Sequence, residues 1–210
     1  LHRGDPESQR AGRIYLALAM VGEVLIFAGF TFLVAGNGTL EIAALHQVAP
    51  SLPALALVLT GFGIKAGMLT LHFWLPLAHP AAPVPASAVL SGAMIKAGLL
   101  GWLRFLPLGE AAMPTIGYGY MIAGLAAAGL GTVVGVVQTN PKTVLAYSSI
   151  SQMGIIMTGL GIGALQPAAW PGIELAVLIY ATHHALAKGA LFLGVGPAHL
   201  TRTRGQRILA

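Results

Sequence analysis

The stretch GFGIKAGMLTLHFWLPLAHP, residues 61–80, has the composition of a membrane helix but carries a lysine, Lys65, near its start. Long apolar runs flank this lysine, and no acidic residue lies near it in the sequence. Glycines surround Lys65 and Pro76 follows, so the stretch predicts a helix that is interrupted near the lysine. Interrupted helices in membranes line cavities and form ion sites in transporters. Close packing through small residues is the alternative explanation for the glycines.

The composition of the chain is that of a membrane protein. Of 210 residues, 56% are hydrophobic and 8% are charged, and the mean hydropathy is +0.81, outside the range of soluble domains. The chain has no cysteine, which excludes disulfides, thiolate metal sites and iron–sulfur ligation within it. The polar opening LHRGDPESQR does not resemble a signal peptide.

Six apolar stretches are long enough to cross a hydrocarbon core of about 20 helical residues. Turn-rich joints containing proline or glycine separate them. No strand alternation persists, and lipid leaves only helices or closed barrels for the backbone. We therefore predict an all-α polytopic membrane fold with six transmembrane helices, at about 14–35, 52–78, 84–106, 113–138, 143–165 and 173–197.

The distribution of basic residues predicts the orientation. One side of the six-helix scheme carries seven of them: Arg3, Arg10, Arg13, Lys142, Arg202, Arg204 and Arg207. The other side carries Arg104 alone. Because lysine and arginine favour cytoplasmic loops, we expect a multi-pass protein of the cell inner membrane. Its transmembrane domain, 14–197, is flanked by a polar cytoplasmic segment, 1–13, and a basic cytoplasmic loop or tail, 198–210. No basic face interleaved with aromatics indicates a nucleic-acid partner.

Four charged residues lie in the interior of predicted helices, away from their ends: Lys65, Lys96, Lys188 and Glu23. Such a residue costs about 2.5–3.5 kcal/mol near the bilayer centre and usually has a function. Snorkelling to the headgroups from a helix end is the alternative. Burial and neighbouring charges can move the pKa of a lysine toward neutrality, whereas arginine stays protonated. That all three interior cations are lysines favours proton handling over a fixed charge.

The sixth predicted helix carries YATHHALAK, residues 180–188. Tyr180, His184 and Lys188 are spaced to share one helix face, and His183 lies on an adjacent face. Histidine titrates near neutrality and can pass a proton through either nitrogen. The alternative is a set of structural hydrogen bonds. Metal binding is poorly supported, because neither the histidine spacing nor a nearby carboxylate or thiol fits a ligand set.

The fifth predicted helix begins with NPKTVLAYSSISQMG, residues 140–154. Ser148 and Gln152 share one face, as do Tyr147 and Ser151. These polar stripes either hold ordered water for a proton path or form hydrogen bonds between helices.

Three motifs in this order resemble the antiporter-like proton-translocating membrane subunits: GFGIKAG…LHFWLPLAHPAAP…SAVLSGAMIKAG, NPKTVLAYSSISQMG and THHALAKGALFLGVG. That family comprises the large membrane subunits of complex I (NADH:quinone oxidoreductase), of Mrp-type cation/proton antiporters and of energy-converting hydrogenases. The sequence around WLPLAHPAAP and LSGAMIKAG looks most like that of the hydrogenase-4 (component B) and formate hydrogenlyase branch.

The resemblance implies roles for individual residues. Lys65 matches the lysine of the family's broken seventh helix, which pairs with a glutamate two helices earlier. Lys96 matches the bridging lysine of the eighth helix. His184 and Lys188 match the central relay residues of the eleventh helix, and Tyr180 stands where some members carry a histidine.

His72 and His79 match histidines of the family's H-x-W-L-P-x-A-H segment, in which Leu77 replaces a common acidic residue. The family has about fourteen helices in two inverted five-helix repeats, and this chain would cover helices six to eleven. The resemblance therefore places the acidic partner of Lys65 and the terminal charged residue outside the chain. Glu23 is not assigned as that partner.

We therefore expect a proton-translocating segment of a redox-driven complex. Lys65 would be the modulated input site, Lys96 the bridge, and His184 with Lys188 the central exchange point. The expected partners are the lipid bilayer, protons and other membrane subunits, and we expect no cofactor and no bond-making catalytic residue. The alternatives are an Mrp-type Na⁺/H⁺ antiporter subunit and a structural membrane scaffold.

Overall fold

The computed structural model describes residues 5–41 and 51–208, with side chains through residue 196. Within these ranges the regular structure is entirely helical. A π-helical turn, Leu90–Met94, and a short 3₁₀ turn, Pro167–Ala169, lie between α-helices. The helices are α1, Pro6–Asn37; α2, Leu52–Ala66; α3, Trp74–Ala81; α4, Val84–Val89; α5, Ile95–Phe105; α6, Pro114–Val136; α7, Pro141–Leu165; and α8, Trp170–Ile208.

Five helical stretches of the described chain are long and apolar enough to cross a membrane: Pro6–Asn37, Val84–Phe105, Pro114–Val136, Pro141–Leu165 and Pro167–Gly196. They correspond to five of the six predicted spans. The remaining predicted span, 52–78, consists of the two short helices α2 and α3 with a break between them. The prediction of an all-α membrane fold with an interrupted helix near Lys65 is confirmed.

Two helices extend beyond their predicted bounds. α1 begins at Pro6, inside the predicted polar segment, because the Asp5 side chain caps the helix by accepting a hydrogen bond from the Ser8 N–H at 3.0 Å and proline occupies the first helical position. α8 runs to Ile208, so the backbone of the predicted loop or tail is helical to that point. Arg3 and residues 42–50 of the predicted outer loop lie outside the described residues.

The break between α2 and α3 begins at a glycine that ends α2. Gly67 has φ +72°, and the N–H groups of Gly67 and Met68 donate to the carbonyls of Ile64 and Gly63 at 3.2 and 2.9 Å. This is a Schellman motif, which glycine favours because it adopts the left-handed conformation without a Cβ clash. The Trp74 indole N–H then donates to the Ile64 carbonyl at 2.8 Å, which holds the start of α3 against the end of α2.

The core lies between α2, α5 and α7 and the helices that cover them. Trp102 of α5 is buried and donates its indole N–H to the Leu59 carbonyl of α2 at 3.1 Å. α6 and α7 pack closely: a Cβ at Gly154 would lie 2.6 Å from the carbonyl oxygen of Gly124. Approach at backbone distance is typical of membrane helices that pack through small residues.

Residues from three elements line a polar cavity of about 510 Å³ at one end of the bundle, among them Asp5, Glu7, Pro80 and Asn140. The start of α1, the end of α3 and the loop before α7 therefore lie at the same end. Toward the other end of α1, the ring of Phe30 lies 4.6 Å from that of Phe105 at the end of α5. Successive joints between helices therefore alternate between the two ends of the bundle, in agreement with the six-span scheme. Which end faces the cytoplasm stays a prediction.

Candidate functional site

Lys65 forms an ion pair with Glu23. Lys65 lies in the last turn of α2, and its Nζ donates to Oε1 of Glu23 in α1 at 2.6 Å. The Lys65 side chain is 28% exposed and that of Glu23 is 63% exposed. We expected the acidic partner of Lys65 to lie outside the chain, and the structure instead provides one within it. Apolar residues flank Glu23 in the sequence, and 42 positions separate it from Lys65, so the sequence alone did not link it to α2.

Lys96 lies at the junction of the π-helical turn and α5. Its Nζ donates to the carbonyl oxygen of Ser91, five residues earlier, at 2.7 Å. Its side chain is half-buried and lines a largely apolar groove of about 600 Å³ between α5 and α8, together with residues such as Leu100 and Leu178. The ammonium is thus held by a neutral acceptor at the wall of an apolar groove.

Lys188 and His184 lie on the buried face of α8, and each is 3% exposed. The Lys188 Nζ donates to the carbonyl oxygen of Leu145 in α7 at 3.0 Å. Both ring nitrogens of His184 are buried without a hydrogen-bond partner among the described residues. The π-helical turn approaches α8 here, since a Cβ at Gly92 would lie 3.2 Å from the Ala185 carbonyl oxygen. The predicted pairing of His184 and Lys188 on one face is therefore present.

The two other residues predicted on α8 have different surroundings. The Tyr180 hydroxyl donates a hydrogen bond to Oε1 of Gln152 in α7. Gln152, a member of the α7 polar stripe, therefore forms a hydrogen bond between helices. His183 is exposed, on a different face from the buried His184 and Lys188. The structure does not bring His183 into the cluster.

The two histidines near α3 also differ in their surroundings. His79 is fully buried, and its ring stacks on that of Phe192 in α8 with centroids 4.4 Å apart. Neither ring nitrogen has a hydrogen-bond partner in the part of the chain that the structure describes. His72 lies in the break before α3, half-buried and stacked on Phe73. A buried imidazole without protein partners is uncommon, which makes His79 and His184 the two notable histidines.

Sequence reasoning missed several buried polar residues, among them Lys142, Ser91 and Ser149. Lys142 was counted among the loop cations, but its side chain is buried and its Nζ donates to the Ala82 carbonyl oxygen at the end of α3 at 2.6 Å. Ser91 and Ser149 are fully buried, with hydroxyl oxygens 2.7 Å apart. The only available signal was the position of Ser91, five residues before Lys96 in the predicted helix.

The electrostatics of Lys96 and Lys188 differ from those of Lys65. Among the residues described, neither has a carboxylate within ion-pair distance, and each donates to a backbone carbonyl. No counter-charge among the described residues therefore stabilises the cationic form of either lysine. No group of three or more histidine, cysteine, aspartate or glutamate residues suited to a metal ion occurs within the described ranges.

Comparison with known proteins relates these features to a family. Residues 1–210 match the transmembrane region of the NADH:quinone oxidoreductase/Mrp antiporter family. The chain is 36% identical over 207 residues to hydrogenase-4 component B of Escherichia coli, covering 92% of this chain and 31% of the relative. It is 34% identical over 198 residues to formate hydrogenlyase subunit 3 of the same organism, covering 90% of this chain and 33% of the relative. The predicted resemblance is confirmed.

A solved structure shows the same fold. A chain of the Mrp complex from Dietzia sp. superposes with a TM-score of 0.82 and 26% identity, over 92% of this chain and 36% of that chain. This chain spans about a third of the length of the curated relatives it matches. The match over all 210 residues, the interrupted helix and the shared fold show that the chain belongs to the transmembrane domain of the NADH:quinone oxidoreductase/Mrp antiporter family, as part of a multi-pass membrane protein.

Proposed function

We propose that this chain forms part of a proton-translocating membrane subunit of a redox-driven complex. Protons would move within the membrane along Lys65, Lys96, His184 and Lys188, with His79 as a further buried group. Lys65 with Glu23 would be the input site, Lys96 the bridge, and His184 with Lys188 the central exchange point. Charge changes in a partner subunit would drive the movement.

One observation carries the proposal. Lys96 directly follows the π-helical turn that approaches α8, the helix of Lys188, and each ammonium donates to a carbonyl rather than to a described carboxylate. A buried ion pair that served only structure would fix both charges. Neutral acceptors favour a lysine that alternates between protonated and neutral forms, and the nearby His184 can take part because both of its ring nitrogens are free of described partners.

The exposed side chain of Glu23 supports action within a larger assembly. An exposed carboxylate is costly inside a lipid bilayer, so this part of α1 would face polar protein or water in the complete protein. Relatives named as components of hydrogenase-4 and formate hydrogenlyase favour a complex with redox subunits. The likeness to a chain of an Mrp complex favours the second candidate, a subunit of an Na⁺/H⁺ antiporter.

Proton uptake into inverted membrane vesicles containing the full-length protein and its partner subunits tests the proposal. We expect Lys96→Met and Lys188→Met to reduce proton translocation toward background while the complex still assembles. Glu174→Gln, which removes an exposed charge on the same helix as Lys188, serves as the control and should retain translocation.

The alternatives predict other results. Normal proton translocation by assembled Lys96→Met and Lys188→Met complexes would support a scaffold role and contradict the relay. Proton movement that requires Na⁺ and no electron donor would support the antiporter.

A further inference from the structure

Two buried serines lie between the carbonyl that accepts from Lys96 and the carbonyl that accepts from Lys188. The Ser91 hydroxyl, in the π-helical turn, lies 2.7 Å from the Ser149 hydroxyl of α7. Ser149 also donates to the Leu145 carbonyl oxygen at 3.0 Å, and the Lys188 Nζ donates to that same oxygen at 3.0 Å. At the other end of the connection, the Lys96 Nζ donates to the carbonyl oxygen of Ser91 at 2.7 Å.

The hydroxyl hydrogens of this connection have two possible arrangements. A serine hydroxyl has one hydrogen to donate. Because Ser149 donates to the Leu145 carbonyl, Ser91 must be the donor in the bond between the two hydroxyls. In the reverse arrangement, Ser149 donates to Ser91 and leaves the Leu145 carbonyl to Lys188 alone. Whether the Leu145 carbonyl accepts from both Ser149 and Lys188 or from Lys188 alone therefore depends on the orientation of the Ser91 hydroxyl, near Lys96.

We propose that Ser91 and Ser149 are positioning residues that hold the acceptors of Lys96 and Lys188 in register and couple the protonation of the two lysines. This inference rests on the proposed proton-transfer function. The pair fixes the π-helical turn to α7 at the point where the Ser91 carbonyl accepts from Lys96. Without the pair, no hydrogen bond would connect the residue that accepts from Lys96 with the helix that carries the acceptor of Lys188.

Burial supports a specific role for the pair. Both serines are 0% exposed, so a hydroxyl that loses its partner has no access to bulk water. A buried polar group without a partner costs more than an ordinary hydrogen bond contributes. The π-helical turn that contains Ser91 adds to this, since such turns are rare and often lie at functional sites.

The chain contains a matched control for hydrogen bonding between helices. Ser151, two residues after Ser149 on the same helix, is also buried. Its hydroxyl lies 2.9 Å from that of Thr132 in α6 and donates to the Ala128 carbonyl oxygen at 2.9 Å. This second hydroxyl pair has the same chemistry, but no lysine donates to either of its members among the described contacts.

The test compares the pH dependence of proton translocation for Ser91→Ala, Ser149→Ala and Ser151→Ala, in the full-length protein assembled with its partner subunits. We expect the first two variants to lower the rate about fivefold and to move the midpoint of the pH profile by roughly 0.5–1 unit, as the loss of the hydrogen bond between the Ser91 and Ser149 hydroxyls implies. The double variant should be no worse than either single variant, because both remove the same connection. Ser151→Ala should keep the wild-type profile.

Two results would overturn the inference. One is a wild-type pH profile in Ser91→Ala and Ser149→Ala, and the other is an equal change in Ser151→Ala. If Lys96→Met and Lys188→Met abolish translocation in the same assay, the proposed function stands although the serine pair has no special role. If the lysine variants translocate protons normally, both proposals are wrong.

Cysteine variants cover the case in which the alanine variants do not assemble. Ser91→Cys and Ser149→Cys nearly preserve the volume but replace the hydroxyl by a weak donor. We expect them to move the pH midpoint in the same direction as alanine but less far. A wild-type profile in assembled cysteine variants would contradict the coupling.

Discussion

The ammonium of Lys65 lies 2.6 Å from Oε1 of Glu23, across the contact between α2 and α1. Lys65 occupies the last turn of α2, immediately before the break at Gly67. The negative end of the helix dipole and the carboxylate of Glu23 therefore both attract the ammonium group of Lys65. A conformational change that moved Glu23 away from Lys65 would remove one of these two attractions. The proposed input site requires this behaviour, because a partner subunit would control it.

The first prediction concerns the identity of the cation at position 65. If Lys65 must release and regain a proton, Lys65→Arg should impair translocation nearly as much as Lys65→Met, because arginine stays protonated at physiological pH. A structural ion pair would show the opposite pattern, with arginine retaining function and methionine losing it. Proton translocation and complex assembly, measured for both variants, separate these cases. Wild-type translocation by the arginine variant would show that Lys65 acts as a fixed charge.

The second prediction concerns Glu23. Glu23→Gln keeps the shape of the side chain and its ability to accept a hydrogen bond but removes the charge next to Lys65. We expect a lower translocation rate with normal assembly, and little further loss when Glu23→Gln is combined with Lys65→Met, because the two residues act as a pair. Losses that multiply in the double variant would show that Glu23 and Lys65 act independently. The translocation rate per assembled complex is the quantity to measure.

Most of the fold could be predicted from local sequence signals. Hydrophobic length predicted the spans, and the glycines around Lys65 with Pro76 predicted the interrupted helix. The early start of α1 was missed although its signal was present: Asp5 followed by Pro6 is a helix cap with proline at the first helical position. The predicted start of this helix was based on hydropathy and not on the cap. The first turns of α1 are polar and do not contribute to an apolar span.

The candidate site was predictable only in part, because its contacts join distant segments. Helical spacing placed His184 and Lys188 on one face of α8. The pairing of Glu23 with Lys65 and the contact between Ser91 and Ser149 depend on how helices pack, and spacing along a single helix does not contain this information. Lys142 shows the same limit: its position beside a predicted loop indicated a topology charge, whereas packing against the end of α3 buries it.

The third prediction tests the membrane topology. Asn37 ends α1 and Thr139 precedes α7, and an odd number of predicted crossings separates them. Because the chain has no native cysteine, Asn37→Cys and Thr139→Cys each place one cysteine in this chain. We expect a membrane-impermeant thiol reagent to label Thr139→Cys from the cytoplasmic side and Asn37→Cys from the opposite side. Labelling of both from the same side would contradict the six-span scheme.

The final prediction separates packing from proton transfer at the contact between α6 and α7. A Cβ added at Gly154 would lie 2.6 Å from both the Ala128 nitrogen and the Gly124 carbonyl oxygen, which are backbone atoms that cannot rotate away. We therefore expect Gly154→Ala to destabilise the protein by about 1–3 kcal/mol, the usual cost of overpacking, and to lower the amount of assembled complex.

Gly129→Ala is the matched control, since nothing lies within 4 Å of a Cβ there and alanine favours the helix by up to about 1 kcal/mol. Thermal stability and translocation per assembled complex should both be measured. Because the atoms nearest to a Cβ at Gly154 all belong to α6 and to none of the proposed proton-transfer residues, complexes that do assemble should translocate protons at the normal rate. A selective loss of translocation would place the α6–α7 contact within the proton path.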